Sequence, residues 1–166
     1  MIDEFRSQIF QSPSRGPMSF VEVVADVAGY VAAETGVRHR VVVGTDSQNR
    51  DGGVDFVSVV VVHRQGRGGR YYWRRFRNGK KYHQLRDKIY EEALLSLSLA
   101  QEFTAALKAQ LASGVGYDFE IHVDIGENGP TRDMIREVVG MIRGNGFEVK
   151  IKPEGYGAFV VADKHT

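Results

Sequence analysis

Three acidic side chains in this chain occupy positions that solvation alone explains poorly. Asp46 follows Val41-Val42-Val43-Gly44-Thr45, so that β-branched residues lead into a carboxylate set between two small hydroxyls, Thr45 and Ser47. A strand this apolar is one covered on both faces. The end of such a strand is where α/β proteins open toward ligands, which makes Asp46 a candidate functional acid. The competing reading is that Thr45-Asp46-Ser47 only opens a turn through Asn49, Asp51 and Gly52-Gly53. Asp124 repeats the arrangement near the end of Tyr117 to Gly126. There Phe119, Ile121, Val123 and Ile125 alternate with Glu120, His122 and Asp124.

The third acid comes from a helix. At roughly 100° per residue, Leu85, Ile89, Ala93, Leu99, Ala100, Phe103, Leu107 and Leu111 share one stripe about 120° wide, and Glu92 falls inside it. A carboxylate on the packed side costs several kcal/mol unless it is paired or holds a cation. Glu91, by contrast, points away with Asp87, Glu102 and Lys108, as a solvated face should. The bland alternative for Glu92 is that it snorkels from the stripe's edge or pairs with an arginine. Ser96, one turn on, would keep the surroundings polar. Near the C-terminus, Asp163, with Glu154 and His165, could contribute to the same site.

These residues need elements to hold them. Residues 1 to 17, ending in Ser12-Pro13-Ser14-Arg15-Gly16-Pro17, suggest a packed arm and a loop before a single domain of residues 18 to 166. Ser19-Phe20-Val21-Glu22 has capping-box spacing and predicts a helix to about Glu34. Its core face would be Val21, Val24, Ala25 and Val31. Strands are expected at Val37 to Thr45, Val54 to His63 and Arg70 to Arg77, joined as an antiparallel meander by glycine-rich turns. A helix over Gln84 to Ala112 follows, then strand, helix and strand, the last at Phe147 to Lys152. That βαβ order implies a parallel half-sheet. The tail from Tyr156 reads as a short terminal helix.

Composition narrows the chemistry. The 166 residues suit one domain with a real core. Without cysteine, any metal must be held by oxygen or histidine, which favours Mg²⁺ or Mn²⁺ over a structural zinc. No apolar run reaches the roughly 18 residues of a membrane span, and the start lacks a signal-peptide pattern, so a soluble, cytoplasmic protein is expected. The net charge of +1 hides an asymmetry: ten of the 22 basic residues lie between Arg64 and Lys88, against one acid, Asp87.

Taken together, Val-Gly-Thr-Asp-Ser-Gln, Ile-Tyr-Glu-Glu-Ala, His-Val-Asp-Ile-Gly before Gly-Pro-Thr-Arg, and the ending Val-Ala-Asp-Lys-His-Thr resemble the ribonuclease H-like superfamily. More narrowly, they resemble its YkuK-type branch, a bacterial family of unknown function. The likeness runs from about Met18 to the C-terminus. It implies an α/β fold with a five-stranded mixed sheet in the order 3-2-1-4-5, flanked by helices, which would set Asp46 beside Asp124 with Glu92 reaching down from the helix. It also implies a two-metal site of Mg²⁺ or Mn²⁺ held by Asp46, Glu92, Asp124 and a fourth acid, Asp163 or Glu154, catalysing phosphodiester hydrolysis. Ser47, Ser96, His122, Glu154 and His165 would support those ligands.

The basic strip fits a nucleic-acid partner, whether RNA, an RNA–DNA hybrid or structured DNA. Arg67, Arg70, Arg74, Arg75, Arg77, Lys80 and Lys81 lie among aromatics that include Trp73, a pairing of phosphate contacts with stacking surfaces. The same pattern also serves to protect an edge strand or to build a homo-oligomer contact. A non-catalytic nucleic-acid-binding module that keeps the fold is the alternative function. An actin-like nucleotide binder, suggested by Gly44-Thr45-Asp46, lacks the chain length for a two-domain cleft.

Overall fold

A computed structural model describes residues 8–78 and 80–153. Among the described residues, seven strands form one mixed sheet. Strands β1 (Phe10–Ser12) and β2 (Gly16–Met18) make a short hairpin, and helix α1 (Phe20–Ala33) follows. Strands β3 (His39–Arg50), β4 (Gly53–Arg64) and β5 (Gly68–Asn78) form the antiparallel meander. Helix α2 (Leu85–Gln110), strand β6 (Asp118–His122), a 3-10 turn at Arg132–Met134, helix α3 (Ile135–Gly144) and strand β7 (Glu148–Lys150) complete the order.

The sheet runs β2-β1-β5-β4-β3-β6-β7. The five principal strands thus lie in the expected 3-2-1-4-5 order, with β6 parallel to both β3 and β7. The difference is at the β5 edge. Residues expected to form an arm and a loop pair there instead, with Gln11 opposite Trp73. The breaker-rich Pro13 to Gly16 segment is the turn between two very short strands, and Pro17 is tolerated because β2 lies at the sheet edge.

A second difference bears on the site. β3 does not stop at Asp46 but continues to Arg50, because β4 pairs with it along its whole length and the chain reverses at Asp51-Gly52. Gly52 has φ +78°, a backbone that side chains rarely tolerate. The parallel neighbour β6 ends sooner, at His122 opposite Gly44. Asp46 therefore lies two residues past the end of its parallel partner rather than at the strand's own tip.

The helices cover one face of the sheet. Val41, Val43, Phe56, Val60, Val62 and Tyr72 pack against Phe20, Val23 and Val27 of α1 and against Leu95, Leu99 and Phe103 of α2. A second cluster joins Ile89, Ala93 and Leu97 of α2 to Ile121, Val149 and the α3 residues Val138 and Ile142. Lying between two clusters, α2 buries more than one stripe. Leu95 and Leu97 are buried, while Leu85 is exposed at the first turn. In α1, Val24 and Val31 are buried as expected, but Val21 and Ala25 face outward, and Phe20, Val23 and Val27 are in the core instead. The opposite sheet face carries buried Val57 and Val59, with Val61, Tyr71 and Trp73 beside them. No helix among the described residues is long and apolar enough to cross a membrane.

The capping box at α1 forms as its spacing implies. Ser19 Oγ accepts from the Glu22 amide at 3.2 Å, and Glu22 Oε1 accepts from the Ser19 amide at 3.0 Å. Ser19→Ala should therefore lower stability by about 1 kcal/mol in urea unfolding, with the slope of the transition unchanged.

Candidate functional site

The parallel register of β3 and β6 brings Asp46 and Asp124 to the same end of the sheet. Gly44 faces His122 in that register, and each acid lies two residues further along its own chain. Beyond His122 the chain parts from β3, while the Val123 amide still donates to the Lys150 carbonyl of β7. Glu92 comes from α2 and is buried at 4 % exposure. Hydroxyls line its approach: Ser47 Oγ donates to Glu92 Oε1 at 2.7 Å, and Ser96 Oγ donates to Thr45 Oγ1 at 2.8 Å. Thr45 Oγ1 in turn lies 2.9 Å from Ser58 Oγ. Ser47 thus bonds Glu92 directly, and Ser96, one turn along α2, bonds Thr45.

The electrostatics show that Glu92 feels the other two acids. Burial is the chief reason Glu92 holds its proton up to about pH 8, and the charges of Asp46 and Asp124 push in the same direction. The Ser47 hydroxyl and Lys88 oppose them. Asp124 Oδ1 is buried, and the ammonium of Lys152 lies 2.5 Å from it. The Lys152 ammonium is held in its charged form first by Asp124 and then by the fields of Asp46 and Glu92.

The donor chemistry suits a hard divalent cation: three carboxylates, one with a buried oxygen, and no thiolate. Crowded carboxylates that raise a neighbour's proton affinity are the arrangement a cation relieves. As they stand, no three carboxylates or histidines among the described residues lie close enough together to hold an ion. The cation beside Asp124 is the ammonium of Lys152.

Other candidates are placed differently. His122 is buried with its Nε2 at 2.7 Å from Glu120 Oε1, so its imidazole is engaged by that carboxylate, and its Nδ1 is buried without a hydrogen bond. Burial lowers its proton affinity. Glu154, Asp163 and His165, and the expected terminal helix, lie outside the described residues.

The basic strip is divided by the pleat of β5. Arg70 and Arg74 share the helix-covered face with Tyr72, whereas Tyr71, Trp73, Arg75 and Arg77 take the other. Several of these arginines are tied up internally. Arg67 pairs with Glu34 at 3.1 Å, Arg70 with Asp26 at 3.3 Å and Arg77 with Asp55 at 3.2 Å. Arg74 is buried and bonds Gln8. Arg75 is exposed, with its guanidinium 5.8 Å from the Trp73 ring centre. It lies in the same cross-strand row as Asp46, through Val57. Lys80 and Lys81 are exposed in the segment leading to α2.

Residues 22–166 match the family model described as Ribonuclease H-like. The chain belongs to the ribonuclease H-like family. Its YkuK-type branch is shown by a second match: the "Uncharacterized protein YkuK" of Bacillus subtilis (strain 168) is 32 % identical over 177 residues, covering 100 % of this chain and 99 % of that protein. No solved structure is a significant match. For a ribonuclease H-like chain, the convergence of Asp46, Glu92 and Asp124 on one end of the sheet is the feature of interest.

Lys152 escaped the reading of the sequence. It follows β7 by two residues, as Asp124 follows β6, and only the pairing of the two strands, which no local pattern displays, brings them together.

The pH dependence follows from Glu92. Unfolded, it titrates near 4.5; folded, near 8. Between these values the unfolded chain gives up a proton that the folded chain keeps, so this group's contribution to stability falls as pH rises from about 4.5 to about 8 and is level above that. Glu92→Gln retains an acceptor for Ser47 and removes the penalty. Thermal unfolding in chelator should show the variant more stable than wild type at pH 8, by at most a few kcal/mol, with the gap closing toward pH 5.

Proposed function

We propose that this chain is a divalent-metal-dependent phosphodiester hydrolase acting on nucleic acid, with Asp46, Glu92 and Asp124 as the metal ligands. Asp163 or Glu154 is the fourth acid of this proposal. The observation that supports it most is the burial of Glu92 within the fields of Asp46 and Asp124. Its hydrogen-bond partner is a serine rather than a base, and the charges of two further acids reach it.

Mg²⁺ or Mn²⁺ bound there would supply the Lewis acidity that activates water and stabilises the departing oxygen at phosphorus. The chain's own contribution is positional. Ser47 fixes Glu92 Oε1, and the Ser96–Thr45–Ser58 hydroxyl chain secures the β3 backbone beneath it. Glu92 must shed its proton to serve as a ligand, and a divalent charge nearby would lower its proton affinity back toward the ordinary carboxylate range. Metal binding should therefore release a proton below about pH 8.

A polymer partner is supported by Arg75 and Trp73, which share the sheet face of Asp46. The second reading, a binding module without chemistry, draws support from the absence of a ready-made three-ligand cluster among the described residues. A cleavage panel on RNA, hybrid, duplex and branched DNA with Mg²⁺ or Mn²⁺ separates the two. The hydrolase reading expects cleavage by wild type and a loss on the order of a thousandfold in Asp46→Asn. No cleavage on any substrate, with binding retained, would establish the module.

The pleat also predicts which arginines matter. Measured in the Asp46→Asn background, Arg75→Glu should weaken nucleic-acid binding and reduce the slope of log affinity against log salt by about 1. Arg67→Glu, whose guanidinium pairs with Glu34, should leave that slope unchanged.

A further inference from the structure

Lys152 is placed by the backbone, not merely near the acids by chance of a long side chain. Its amide donates to the Ile125 carbonyl at 2.8 Å, past the last strand pair, where a tight turn from the Ile125 amide to the Val123 carbonyl has broken the β6–β7 register. Gly126 lets the lysine lie close: a Cβ there would be 3.1 Å from the Cβ of Lys152, tighter than ordinary packing. The ammonium so held lies 2.5 Å from Asp124 Oδ1 and is bound there by that carboxylate. The side chain is also half exposed, and it borders a cleft of about 530 Å³ lined by Gly126, Glu127, Asn128, Ile151 and Pro153. A released ammonium has solvent and space to move into. A lysine, as a point charge on a flexible stem, can make that exchange more readily than a forked guanidinium.

We infer that Lys152 is a tethered counter-cation of the acid cluster, competing with a divalent ion for the Asp124 carboxylate and so setting the protein's metal affinity. Lys152 is in this sense a positioning residue: it holds Asp124 in place and gives it up to the metal. This accounts for three acids, two of whose charges reach Glu92, that do not close on a common point. The inference rests on the reading of these acids as metal ligands.

The two are separable by titrating the full chain with Mn²⁺ in a calorimeter, comparing wild type with Lys152→Met, Lys152→Gln and Asp124→Asn. Both lysine variants should bind Mn²⁺ roughly fivefold more tightly, the strength of a partly exposed ion pair. Without metal they should melt below wild type, and saturating Mn²⁺ should raise their melting temperatures by more than it raises wild type's. Asp124→Asn should bind more weakly. If Asp124→Asn weakens binding while both lysine variants match wild type or bind less tightly, the role given to Lys152 is overturned and the metal reading survives. If Mn²⁺ binding is absent, or indifferent to Asp124→Asn, the metal reading falls and this inference with it.

Discussion

The burial of one carboxyl group, Glu92, governs the architecture of this end of the molecule. Placing it between α2 and β3 is unfavourable on its own, and the chain offsets that cost with hydroxyls rather than with a base. Ser47 binds it directly, and the Thr45, Ser58 and Ser96 hydroxyls satisfy one another in the layer behind. Without a fixed positive partner, the acid holds its proton up to about pH 8. A protein selecting only for stability would fill this space with leucine, as α2 does at Leu95, Leu97 and Leu99.

The sheet makes that arrangement possible through unequal strand lengths. β3 is supported past Asp46 by β4, while β6 stops at His122 and frees its chain to turn. Asp124 and Lys152 both lie just past the last paired residues of their strands, where their side chains meet and the Lys152 amide still reaches the Ile125 carbonyl. The apolar clusters on either side of α2 hold the helix at the height from which Glu92 enters.

Much of this was legible in the sequence where the signal is local. The Ser19 and Glu22 spacing specified a cap, the 119-to-125 alternation specified a strand, and Glu92 stood out as an acid in an apolar stripe. Non-local pairing was harder to read. Gln48 to Arg50 have turn-like composition yet extend β3, because β4 lies opposite them. Phe10 to Met18 look like a broken arm, but three-residue strands suffice when an edge is there to receive them. The arginines of β5 announced a basic surface, whereas their partners Asp26 and Asp55 sit in other elements and only the fold brings them into contact.

The pleat of β5 has a consequence for how this edge can change. Even-numbered positions such as Tyr72 and Arg74 are committed to the interior, and odd-numbered ones such as Trp73 and Arg75 to the outside. Substitutions can alter the outward set one residue at a time with little structural effect. A single-residue insertion or deletion within the strand would instead interchange the sets, driving Arg75 inward and ejecting Tyr72, so lineages diverging along this edge should vary in residue type while keeping its length parity.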